Sequence, residues 1–97
     1  MNQEITQVKF SKEYDGEKVS VVCTQSNFNR SFWDCKFSHI SLLNLARFVV
    51  ELFNCSTLSG ADHLSLFIGN SVIGVDRCTE NNTVSHYLEK IASELEF

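Results

Sequence analysis

Residues 41–54 read SLLNLARFVVELFN, and their apolar pattern is the most informative feature of the chain. At about 100° per residue its apolar side chains fill an arc of about 220°, leaving one stripe for Asn44, Arg47, Glu51 and Asn54. An ordinary surface helix presents an apolar face of only about 100°. The stretch therefore predicts a helix at the centre of the domain, covered on two sides or partly offered to a partner. We also expect Glu51 to pair with Arg47, one turn earlier.

Length and composition indicate one globular domain spanning residues 1–97. The chain is 43% hydrophobic and 21% charged, and it contains no proline. No apolar run approaches the roughly 20 residues of a membrane span, and the N-terminus lacks the pattern of a signal peptide. We therefore expect a cytoplasmic protein without membrane contact, whose four cysteines are reduced.

The dipeptide Asp15-Gly16 predicts a tight β-hairpin, because both residue types tolerate the positive φ angles of a type I′ turn. With these two residues as the loop, Phe10 lies opposite Val21. The apolar residues of both strands then share one face, as a half-buried hairpin requires.

The remaining chain continues the alternation of strands and helices. A third strand is predicted at residues 30–37, a second hairpin around Gly69-Asn70-Ser71, and a last helix at residues 84–97. The order βββ-α-ββ-α predicts an α+β fold with an antiparallel sheet of about five strands and two helices packed on one face.

Charge is distributed unevenly along the chain. The formal net charge is -4, with six basic and five acidic residues in 1–48 but two basic and seven acidic residues in 49–97. A negative field repels phosphate backbones and attracts cationic partners. With a pI of about 5.2 and no basic patch, the sequence predicts a cationic protein partner and no nucleic acid.

The sequence offers little chemistry of its own. Structural zinc sites usually contain close pairs of cysteine or histidine, and the nearest such pair here is Cys35 and His39, with a capping serine between them, so no metal or other cofactor is expected. Cys23 and Cys35 are better explained as small buried residues on strands. A small enzyme that uses Cys55 and His63 remains an alternative, although neither residue lies in a catalytic motif.

The binding surface is predicted on the acidic second half of the chain. Its candidates come from the loop before the second hairpin, the connection after it and the polar side of the last helix: Asp62, Asp76, Glu80, Glu89 and Glu94. The alternative is the sheet face opposite the helices, where the strand pattern exposes Ile5, Val22, Phe32, Phe67 and Val72. Phe28, in the turn between two strands, is expected to fold back on the core.

An acidic domain with a full core and no reaction centre is typical of a binding protein. We expect a non-enzymatic inhibitor or immunity protein that neutralises a basic toxin or nuclease by occluding its active site, with association accelerated by opposite charge. The alternatives are a phage-encoded inhibitor of a host defence nuclease, the small enzyme, and an oligomeric scaffold or chaperone-like protein. A homodimer is compatible with the last of these.

Overall fold

The computed structural model describes residues 6–95, which form a five-stranded sheet and two helices. The strands are β1 (Gln7–Tyr14), β2 (Glu17–Gln25), β3 (Phe32–Phe37), β4 (His63–Ile68) and β5 (Ser71–Asp76), and the helices are α1 (Leu42–Asn54) and α2 (Val84–Leu95). The predicted α+β fold and its element order are confirmed. Ile5 and residues 96–97 of the predicted last helix lie outside the described residues.

The strands lie side by side in chain order, and one neighbouring pair is parallel. β1–β2, β2–β3 and β4–β5 are antiparallel, whereas β3 and β4 run in the same direction. Parallel neighbours need a crossover connection, and α1 lies in the connection between these two strands. The expected antiparallel pairing therefore holds for three of the four strand pairs.

Both hairpins have tight turns. Asp15 (φ 48°) and Gly16 (φ 86°) adopt the positive φ angles of the predicted turn, and Phe10 lies opposite Val21 as expected. In the second hairpin Gly69 has a φ of 58°, which a residue without Cβ adopts at little cost.

One face of the sheet forms a wall of the core. Its side chains are at most 3% exposed: Val19, Val21, Cys23, Trp33, Cys35, Leu64, Leu66, Ile73 and Val75. Helix α1 packs on this wall beside α2, which also contacts β5, and it buries seven side chains, whereas α2 buries only Tyr87 and Ile91. The wide apolar arc is thus covered on two sides, and α1 is the more buried helix, as predicted. Leu43, in its first turn, is 44% exposed.

Glu17 on β2 holds the beginning of α1. Its Oε1 accepts hydrogen bonds from the backbone N–H and the hydroxyl of Ser41 (3.2 and 3.1 Å) and from Nδ2 of Asn44 (2.6 Å). The hydroxyl of Ser41 accepts from the backbone N–H of Asn44 and caps the helix. The hydrogen bonds from Asn44 and Ser41 lower the pKa of Glu17 below its ordinary value.

The polar side chains of α1 contact residues of the first hairpin. Lys12 and Tyr14 both donate to the carboxylate of Glu51, and Arg47 Nη1 lies 3.1 Å from Asp15 Oδ2 in the hairpin turn. The expected pairing of Glu51 with Arg47 is therefore wrong. The first hairpin lies along this side of the helix and supplies partners that a helix considered alone does not have.

Leu45→Ala is expected to lower the free energy of unfolding by about 2–5 kcal/mol, because the removed side chain leaves a cavity in a packed core. Leu43→Ala, the same change on an exposed position of the same helix, is expected to cost less than about 1 kcal/mol. Urea denaturation measures both. Equal losses in the two variants would contradict the packing of α1.

Glu17→Gln is expected to lower the free energy of unfolding at pH 7. In acid, the difference in stability between the variant and the parent protein is expected to become smaller. The folded pKa is lowered, so the contribution of the carboxylate is complete above the ordinary glutamate pKa, about 4.3, and disappears as the pH falls through the folded value. Urea midpoints at pH 7, 5, 4 and 3 test this. Glu13→Gln, on the exposed side of β1, is the control, and a gap that is constant with pH would refute the role of Glu17.

Candidate protein-binding site

The sheet face opposite the helices is not covered by any element of residues 6–95. Of its apolar side chains, Val72 is 60% exposed and Phe32 is 42% exposed, whereas Val22 and Phe67 are partly buried. The strand register divides them into two groups. Val22, Phe67 and Val72 belong to one cross-strand row, and Phe32 lies four positions away from that row along β3, about 13 Å. The predicted group Phe32, Phe67 and Val72 is therefore not one continuous patch.

His63 lies beside Phe32 on this face and contacts both Phe32 and Asp76. Its Nδ1 lies 2.8 Å from Asp76 Oδ1, and its ring stacks on the ring of Phe32 with centroids 4.8 Å apart and planes at 27°. Gly74 lies directly against the ring: a Cβ at that position would stand 2.9 Å from His63 Cε1. An imidazole that donates from Nδ1 to a carboxylate presents Nε2 as an acceptor when neutral.

Phe28 is fully exposed at the tip of the turn between β2 and β3. The hydroxyl of Ser26 accepts hydrogen bonds from the backbone N–H groups of Phe28 (3.1 Å) and Asn29 (3.4 Å), which closes the turn with the aromatic side chain at its tip. The expectation that Phe28 folds back on the core is therefore wrong. Phe28 and Phe32 instead line one open groove of about 320 Å³, together with Asp34.

Three aspartates lie at the same end of the sheet as this aromatic pair. Asp34 borders the groove, Asp76 contacts His63, and the backbone N–H of Asp62 donates to the carbonyl of Ser31, the neighbour of Phe32 (2.8 Å). Among the described residues, the side chains of Asp34 and Asp62 form no hydrogen bond or ion pair. We call this group the aromatic–acidic patch, defined by Phe28, Phe32, Asp34, Asp62, His63 and Asp76.

The other three predicted acidic residues lie elsewhere. Glu80 is exposed in the connection between β5 and α2, and Glu89 and Glu94 are exposed on α2. Lys90 Nζ donates to Glu94 Oε1 at 3.3 Å. Because α2 packs on the covered face of the sheet, the structure divides the predicted acidic surface between the patch and this helix.

The structure does not bring Cys55 and His63 together. Cys55 follows α1 and packs against the core, where its thiol donates to the carbonyl of Leu52 (3.2 Å). His63 lies on the opposite, open face of the sheet. A hydrogen bond with Cys23 and burial raise the pKa of Cys35, so that thiol stays protonated and is a poor nucleophile.

Arg77 is a positioning residue that the sequence reasoning did not single out. Its guanidinium donates to the carbonyls of Ala61 (2.7 Å), Phe53 (2.7 Å) and Leu58 (3.2 Å) and lies 5.0 Å from the centroid of the Phe53 ring. These bonds satisfy a carbonyl near the end of α1 and fold the loop that leads to Asp62. The only sequence signal is an arginine within a predominantly acidic half of the chain.

Comparison of the chain with protein-family models, curated proteins and solved structures finds no match. Within residues 6–95, no group of three or more histidine, cysteine, aspartate or glutamate side chains is placed to hold a metal ion. Neither described helix has the length and hydropathy needed to cross a membrane.

Gly74→Ala is expected to displace the His63 ring, because the new methyl group would overlap it. The hydrogen bond to Asp76 and the stacking on Phe32 would be lost together. NMR chemical shifts of the His63 and Phe32 ring protons measure this. Gly60→Ala, where nothing lies within 4 Å of the new Cβ, is the matched control. Unchanged ring shifts in Gly74→Ala would contradict the arrangement.

Proposed function

We propose that this protein binds a cationic protein through the aromatic–acidic patch and acts as an inhibitor or immunity protein that neutralises a basic toxin or nuclease. The observation that carries the proposal is a fully exposed Phe28 beside a 42% exposed Phe32, with Asp34 in their shared groove and Asp62 and Asp76 at the neighbouring strand ends. A large aromatic side chain left in water at a turn tip contributes nothing to the core. Such residues are typical anchors of protein interfaces.

The aromatic pair supplies binding free energy. Complete burial of one phenylalanine side chain contributes about 1.5–3 kcal/mol. The groove that Phe28 and Phe32 share is open and roughly 320 Å³ in volume, so a side chain of the partner has room to enter it. Arginine suits this position best, because its guanidinium stacks on aromatic rings and pairs with carboxylates.

The aspartates raise the association rate and select a basic partner. Asp34 and Asp62 have no ion-pair partner within residues 6–95, so both charges are available to a partner. The chain as a whole carries a net charge of -4. An acidic surface steers a basic groove toward it, and steered association is fast and falls steeply with salt. A phage-encoded inhibitor of a host defence nuclease would use the same chemistry.

Capture experiments test the proposal. The tagged full-length protein serves as bait in a lysate of the source cell, and bound proteins are identified by mass spectrometry at 0.05 M and 0.5 M NaCl. We expect a basic protein that is retained at low salt and released at high salt.

Phe28→Ala is expected to weaken binding of the purified partner by about 10- to 100-fold.

Charge reversals locate the surface. Asp34→Lys with Asp62→Lys changes the patch, and Glu89→Lys with Glu94→Lys changes α2 by the same net charge. We expect the first pair to slow association at least tenfold more than the second, measured by surface plasmon resonance. A larger effect from the α2 pair would move the interface to the helix. Association insensitive to salt and to both pairs would contradict an electrostatic partner.

A further inference from the structure

Cys23 on β2 and Cys35 on β3 face each other directly across the antiparallel pair. Both side chains are completely buried, and both thiols are free. Their side chains lie on the same buried face of the sheet. The two cysteines are therefore close neighbours inside the core and not merely two residues of the same cluster.

The backbone hydrogen bonds of β2 and β3 show which kind of pair they form. Ser38 N donates to Ser20 O (3.0 Å) at one end of the ladder, and Ser26 N donates to Phe32 O (2.9 Å) at the other. Hydrogen-bonded and non-hydrogen-bonded pairs alternate along antiparallel strands. The Cys23–Cys35 pair lies three steps from each of these, so it is a non-hydrogen-bonded pair.

Directly opposed residues of a non-hydrogen-bonded pair have Cα atoms about 4.5 Å apart. A disulfide needs Cα atoms roughly 4.4–6.8 Å apart with side chains on the same face. Cys23 and Cys35 meet both conditions without a change of register. Cys55, which also packs against the core, lies after α1 and has no strand partner.

We propose that Cys23 and Cys35 are the site of a cross-strand disulfide, formed when the chain folds in the presence of a low-molecular-weight disulfide. One protein thiolate attacks oxidised glutathione, which forms a mixed disulfide and releases one glutathione thiolate. The second protein thiolate attacks the mixed disulfide at the protein sulfur and releases the other. Two protein thiols are oxidised, one glutathione disulfide is reduced to two thiols, and the two thiol protons go to the leaving thiolates.

The folded, reduced protein resists this reaction, because neither sulfur is accessible to glutathione until β2 and β3 separate. The bond would close the segment that contains the β2–β3 turn, with Phe28 at its tip and Phe32 at the start of β3. Oxidation would therefore restrict the part of the chain that carries the exposed aromatic pair. This inference rests on strand geometry and is independent of the proposed function.

Refolding experiments test it. The full chain is unfolded in urea with its thiols reduced, then diluted into buffer with oxidised and reduced glutathione, alkylated and mapped by mass spectrometry. We expect a 2 Da loss assigned to a Cys23–Cys35 peptide, and a urea midpoint about 1–2 M higher than in the reduced protein. The folded reduced protein in the same buffer is expected to oxidise at least tenfold more slowly.

Two variants keep the outcome decisive. Cys55→Ala with Cys78→Ala retains the proposed pair and is expected to form the bond as the parent does. Cys23→Ala with Cys35→Ala is expected to form no intramolecular disulfide. Four free thiols after refolding, a bond to Cys55 or Cys78, or an oxidised product without the near-ultraviolet circular dichroism of the native protein would each overturn the proposal.

Discussion

Helix α1 carries apolar side chains in two directions, and the other elements are arranged to cover both. The sheet covers one side, and α2 covers the other through contacts such as that between the rings of Tyr87 and Phe53, 5.6 Å apart. Polar side chains from the sheet fix both ends of the helix. Glu17 on β2 bonds the first turn, and Arg77, directly after β5, bonds a carbonyl near the last. Because these anchors come from distant strands, the helix also holds the sheet together.

The local features of the fold were readable from the sequence, and the contacts between distant elements were not. Turn chemistry at Asp15-Gly16 is sufficient to set the register of the first hairpin, and the apolar period is sufficient to identify α1. The partners of Glu51 depend on which element packs beside the helix. The exposure of Phe28 depends on hydrogen bonds inside a turn. Neither property leaves a periodic signal in the chain.

The aromatic–acidic patch also depends on contacts between distant elements, which the sequence does not reveal. Its acidic residues are visible in the composition, but their assembly depends on the parallel pairing of β3 and β4. Since these strands run in the same direction, Phe32 and His63 begin them at the same end of the sheet, and β5 returns to place Asp76 beside them. With an antiparallel pair, His63 would begin its strand at the opposite end. The alternation of residues in a strand indicates which face of the sheet each residue occupies. It does not indicate whether the neighbouring strand is parallel or antiparallel.

The parallel pair is also the junction between two locally connected halves of the chain. β1, β2 and β3 form one run of antiparallel neighbours, and β4 with β5 forms another, each closed by short turns. Pairing β3 with β4 brings together residues far apart in sequence, and this costs loop-closure entropy. The packing of α1 against the sheet offsets that cost. An excursion that opens this junction alone would separate Phe32 from His63 and Asp76 while both hairpins remain intact. The complete patch therefore depends on the long-range pairing of β3 with β4 and not on the hairpin turns alone.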